Sequence, residues 1–196
     1  MGKVVYGLKN VHYAVFNEET KTYGEWKRIP GAVNLTADAE VNQNDFYADD
    51  VVYATINSSS KETGSIEFAA LTKEIEQDLL GYKEDAISGL SYISTEPKNT
   101  TVALGYEVAG NENKQRGVRY NVKFTPPTQN ANTMTDSTDP DTVTMDYTAI
   151  GRDFTIDEET VNVLKAHVDE SETSDAYKSF FESVLVPGTA PVTPSA

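Results

Sequence analysis

The chain contains no cysteine, so disulfides and thiolate metal sites are excluded. That absence suits a protein made in a reducing cytoplasm, as bacterial and viral proteins are. Histidine is scarce as well: His12 and His167 are far apart, and neither belongs to an HExxH pattern. There is no GxSxG elbow, no GxxxxGK[ST] phosphate loop and no GxGxxG turn. Catalysis by paired carboxylates needs one pair to stand out, and 31 acids make no pair distinctive. The expectation is therefore that the chain is not an enzyme. No apolar run approaches the roughly 20 residues that span a bilayer, and MGKVVYGLKN lacks the apolar core and cleavage pattern of a signal peptide. The N-x-[ST] triplets at Asn34, Asn57 and Asn99 are accordingly read as chance matches.

Bases are also few, 16 against 31 acids, which gives a formal charge of −15. A surface of that sign repels nucleic acid and anionic membranes, both polyanions. It serves solubility, or it lets the protein pass close to DNA without sticking, and composition does not choose between the two. Lys114, Arg116, Arg119 and Lys123 form the one basic concentration. In so acidic a chain these bases are expected to pair with acids, within the subunit or on another. Acids crowd at Asp45, Asp49 and Asp50, at Asp136, Asp139 and Asp141, and over residues 157–159. None has the bending glycine and ligand spacing of a calcium loop, so neither a metal nor a cofactor is expected.

What is present is β patterning. The length of 196 residues fits one domain, and eleven tyrosines with seven phenylalanines favour a pleated sheet over a helix bundle. In TVALGYEV, Val102, Leu104, Tyr106 and Val108 share a face; in QRGVRYNVKF, Val118, Tyr120, Val122 and Phe124 do. Period-two alternation then predicts a hairpin with Tyr106 opposite Val118 and Leu104 opposite Tyr120. Its outer face would carry Glu107, Arg119, Asn121 and Lys123. Further strands are expected at Val4–Leu8, Val11–Phe16, Ala32–Val41, Val51–Ile56, Ser65–Leu71 and Thr142–Ile150. In the last of these Val143, Met145, Tyr147 and Ala149 face inward. Both faces of VVYATI are largely apolar, so that strand is expected to be buried on two sides.

Two segments break this rhythm. LTKEIEQDLLG reads as a helix of about 72–81, with Thr72 as N-cap, Glu74 and Glu76 in the first turn, Gly81 as stop and Leu71, Ile75 and Leu79 inward. SDAYKSFFESVLVPG reads as a short helix of about 175–185 with Ser174 as N-cap and Pro187 beyond its end. Residues 125–141 should be a long exposed loop. The expected layout is one β domain over 1–186, a β-sandwich or partly closed barrel with a flanking helix, and a flexible tail or linker over 187–196.

The stretch FYADDVVY, followed by GSIEFAALTKEIEQDLLGY, RYNVKF and TVTMDYTAIGR, resembles the major tail protein family of long, non-contractile-tailed bacteriophages. The order and spacing run from about residue 3 to residue 186, with Tyr47 to Asp50 the most specific piece. The resemblance implies a subunit of the virion tail, assembled in the bacterial host cytoplasm. Such subunits form rings, generally hexameric, that stack into a tube around a tape-measure protein, together with tail-completion proteins. DNA later passes through the lumen without specific binding. In related tubes a long loop equivalent to the quoted stretch reaches an adjacent subunit. By that match Phe46 and Tyr47 would anchor the subunit contact. Asp49 and Asp50 would be polar contacts meeting Arg116 or Arg119 across it, or turn formers within the chain. Some family members continue into an outer decoration domain, whereas this sequence stops after PGTAPVTPSA. The rival reading is a monomeric β-sandwich binding module for carbohydrate or a host surface.

Overall fold

The computed structural model describes residues 7–48, 51–94, 100–110, 114–127, 142–170 and 175–191, with 41–48 and 51–60 described as backbone only. The first half of the chain forms β1 (Leu8–Asn17), β2 (Thr22–Tyr23), β3 (Lys27–Arg28), β4 (Ala32–Leu35), β5 (Asp38–Ala48), β6 (Val51–Phe68) and α1 (Lys73–Leu80). There follow β7 (Lys83–Glu84), β8 (Ser91–Tyr92), β9 (Val102–Val108), β10 (Gln115–Phe124), β11 (Val143–Ile150), β12 (Arg152–Ile156), β13 (Glu159–Val163), β14 (Lys165–Asp169) and α2 (Asp175–Lys178).

Among the described residues ten strands join in one antiparallel sheet, whose spine runs β2-β1-β9-β10-β11-β6-β4. β3 adds to β1, β5 to β6 and β14 to β10, while β12–β13 and β7–β8 are separate pairs. The mainly β fold with a helix near its middle is thus as expected. No pairing between β2 and β4 closes it into a barrel.

Over β1, β9 and β10 the sheet is covered on both faces. Val11 and Tyr13 of β1, Leu104 of β9 and Val122 and Phe124 of β10 join one core with Ile66, Phe68, Met145, Tyr147 and Ala149. Their neighbours Ala14, Ala103, Val118 and Tyr120 join a second core on the opposite face. Helix α1 covers the first core with Ile75, Leu79 and Leu80. Its ends are those the sequence implies: the Thr72 hydroxyl accepts from the Ile75 N–H, and Gly81 closes the helix at φ +73°.

The β9–β10 hairpin exists, but its register differs from the expected one. Gly117 pairs with Tyr106, Val118 with Gly105 and Arg119 with Leu104; after a bulge, Val122 pairs with Val102. β10 carries one extra residue there, which moves Val118 and Tyr120 to one face and Val122 and Phe124 to the other. The four apolar residues read as a single face therefore serve two cores. The expected outer face fails for Glu107 and Arg119, which are buried, while Lys123 is exposed as expected.

Two further expectations are corrected. Val51–Ile56 and Ser65–Leu71 belong to one continuous strand, β6, and the Ala32–Val41 run divides into β4 and β5. The C-terminal helix is a single turn, Asp175–Lys178. In this turn and beyond it, backbone carbonyls accept from the side chains of Trp26, between β2 and β3, and of Arg116 and Tyr120 on β10. Trp26 Nε1 donates to Phe180 O at 3.0 Å and the Tyr120 hydroxyl to Leu185 O at 2.9 Å. Arg116 Nη1 donates to Tyr177 O. The segment is thereby strapped over the second core by Phe180 and Leu185. The loop expected over 125–141 and the start of the first expected strand fall largely outside the described residues.

Gly105 marks where this strap presses on the sheet. A Cβ there would stand 2.8 Å from the Trp26 ring, which its bond to Phe180 O holds in place. Gly105→Ala should lower stability by about 1–3 kcal/mol in a urea melt, as overpacking does.

Candidate assembly surface

β5 and β6 form an arm that outruns the sheet. β11 pairs with β6 from Lys61 to Phe68 and β4 pairs with its last residues. β5 pairs with β6 much further, from Asp38↔Thr63 to Ala48↔Val51. Over 42–48 and 51–58 the two strands pair with each other alone among the described strands. At about 3.4 Å per residue this free portion is roughly 25 Å long. Its outer edges pair with no other described strand, and an isolated two-stranded ribbon is marginally stable in water.

Phe46 and Tyr47 lie near the far end of the arm, opposite Ala54 and Val52, with a register shift between them. Their side chains, and Asp49 and Asp50 altogether, lie outside the described residues.

Arg116 and Arg119 stand on β10 and are both taken by acids of their own chain. Arg116 Nε lies 3.0 Å from Glu107 Oε2, and its guanidinium sits 4.0 Å over the Tyr177 ring. Asn10 Nδ2 also donates to Glu107. Arg119 is 4% exposed and ion-paired with Glu62, itself 1% exposed. Lys165, opposite Arg119 on β14, binds the other Glu62 oxygen at 2.7 Å. The rings of Tyr106 and Tyr147 flank the Arg119 guanidinium at 5.0 and 5.8 Å, faces that favour a cation where Nη1 has no hydrogen-bond partner among the described residues.

Glu62 is the buried ion-pairing residue that sequence reasoning passed over. A signal for it existed: period two, read backwards from Phe68 and Ile66, leads through Gly64 to Glu62 on the core face. Burial pushes its carboxyl up, but the hydrogen bonds from Lys165 and Arg119 outweigh that and hold it below its ordinary 4.5. It sits where β6 passes from the sheet into the arm, so the ion pair ties the arm's base to the centre of the molecule.

Elsewhere the chemistry is sparse. His12 lies against Phe181 and Trp26, with ring centroids at 4.4 and 6.4 Å, and Nδ1–H donates to Asn10 O at 2.7 Å. Burial lowers its pKa, as expected of an imidazole packed among aromatic rings. A cleft of about 810 Å³ lies between Tyr23, Arg152, Phe154 and Val184, where the Arg152 guanidinium stacks 3.5 Å over Phe16. No helix among the described residues is long and apolar enough to cross a membrane.

No protein-family model matches the chain, and no curated protein does. Among solved structures it is similar to a chain of an extracellular contractile injection system, the PVC sheath–tube complex in its extended state, solved by cryo-EM. The TM-score is 0.40 at 10% identity, over 82% of this chain and 89% of that one. At that score and identity the likeness carries neither family nor function across.

Glu62→Gln leaves Arg119 buried without a counter-charge and should lower stability by about 3–5 kcal/mol, read as a shifted urea midpoint. With its folded pKa below 4.5, Glu62 adds stability that is present above that value and lost as the pH falls through the folded pKa. The Glu62-linked part of the acid-side loss should therefore be missing from the Gln variant.

Proposed function

We propose that this chain is a structural subunit that assembles with copies of itself into rings and, by stacking, into a phage tail tube. The observation that carries the reading is the β5–β6 arm, a ribbon with two open edges and no partner strand in its own chain among the described residues. A strand edge supplied by a neighbouring copy would satisfy those backbone groups. Tyr47 and Ala48, which end β5, belong to Tyr47–Asp50, the most specific part of the resemblance to the major tail proteins of long, non-contractile-tailed bacteriophages. In this reading the rings are hexameric, surround a tape-measure protein in the virion tail, and later conduct DNA. An acidic lumen would repel phosphate and keep DNA from binding the wall. The chain performs no catalysis.

Negative-stain microscopy across a concentration series tests this. Striated tubes or rings are the expected result. Featureless monomers at every concentration would count against it and favour a monomeric binding module, the reading to which the cleft beside Phe16 and Arg152 lends support. Replacing Asp49 and Asp50 with lysine should weaken assembly while circular dichroism stays unchanged. Normal tubes from that variant would remove both acids from the subunit contact.

A further inference from the structure

Beyond α1 the chain makes a small projection, β7–β8, that exposes what a soluble surface ordinarily hides. Ile87 is 97% exposed, Leu90 67%, Tyr92 49% and Ile93 39%. They account for more than half of the large exposed apolar side chains among the described residues. Residues 86–94, AISGLSYIS, contain no charged side chain in a chain of net charge −15. The projection is nevertheless a built structure. Lys83 pairs with Tyr92 and Glu84 with Ser91. The Asp85 carboxylate accepts from the N–H groups of Ile87 and Ser88 at 3.2 Å each and from the Ser88 hydroxyl, while the Asp85 N–H donates to Leu90 O at 2.9 Å. Such an ordered tip presents its apolar side chains without the entropy cost of first fixing a loop.

A complementary recess exists on the same molecule. A groove of about 330 Å³ is lined by Val118, Tyr120, Val168, Phe180, Leu185 and Pro187; among the described residues its wall includes His167 and no Asp, Glu, Lys or Arg. The projection is rooted beside α1, on the face of the first core, whereas the groove belongs to the second core on the opposite face. Copies that each carry −15 repel one another wherever charge faces charge, so uncharged surfaces are where they can approach.

We propose that the β7–β8 tip of one copy, led by Ile87 and Leu90, docks in the Tyr120–Phe180 groove of a second copy. A knob and a socket on opposite faces of one chain make a heterologous contact, which repeats from copy to copy instead of closing as a pair. The inference rests on the self-assembly reading and supplies a second contact, separate from the arm.

The test uses the full chain. Sedimentation velocity over a concentration series compares the wild type with Ile87→Asp/Leu90→Asp, which alters only exposed side chains. Association should weaken about a hundredfold or more, the scale expected from removing two buried aliphatic side chains from a contact. Because the chain has no cysteine, Ile87→Cys combined with Pro191→Cys at the groove rim can be linked with a bis-maleimide. The double variant should give a ladder of dimers, trimers and longer chains. Wild-type association unchanged in the Asp variant would overturn the docking and leave the arm-based reading standing. Dimers from Ile87→Cys alone, with no ladder in the double variant, would mean tip meets tip and would also overturn it. A wild type that never associates would sink both.

Discussion

One carboxylate, Glu62, is held inside the protein by two cations, and the relation of the arm to the sheet depends on it. Glu62 stands where β6 leaves its pairing with β11 and continues into the arm. Arg119 is the last residue of β10 paired with β14 before the strand bulges and turns to β11. The pair therefore joins two junctions, one in each strand. Buried ion pairs add little net stability, but removing one partner is severe. Their consequence here is register. A one-residue slip of β6 would turn Glu62 to the other face and leave Arg119 buried alone. Arm and body are fixed to each other by the cost of an uncompensated charge.

The second constraint is that β1, β9 and β10 are buried on both faces, whereas β11 buries one face and exposes Thr144, Asp146 and Ile150 on the other. Alternate residues of β1, β9 and β10 enter different cores, so each core needs its own cover. Helix α1 covers one. The C-terminal segment covers the other, held by Trp26, Arg116 and Tyr120, whose side chains donate to its carbonyls. That cover is short, and it leaves an apolar groove beside Tyr120 and Phe180. The arm, the projecting β7–β8 tip and this groove are places where backbone or apolar surface is left unmet among the described residues. A chain designed to remain alone would charge or cap such features.

Strong negative charge and self-association are compatible when they occupy different surfaces. In the proposed assembly, acids on the exterior would keep subunits apart and repel polyanions, while contacts would form at strand edges and at uncharged apolar patches. Under that proposal the same division would suit a conduit for DNA, whose wall must cohere laterally and must not bind what passes through it.

Much of the local structure was legible in the sequence because its causes are local. The inward face of β11, the cap and stop of α1 and the existence of the β9–β10 hairpin follow from periodicity and from the residues at element ends. The site was legible only in part. Phe46 to Ala48 of the quoted stretch end strand β5 where the resemblance implied a long loop, and nothing in period or composition showed that Val51 to Phe68 run as one strand past the edge of the sheet. Sequence alone determined a cysteine-free, acidic β domain with one capped helix, since those properties are set by residue type and near neighbours. Tertiary structure alone decided that Arg119 points inward to Glu62 and that β10 divides its apolar residues between two cores. Both depend on a one-residue bulge and on partners far along the chain, where alternation within a strand carries no information.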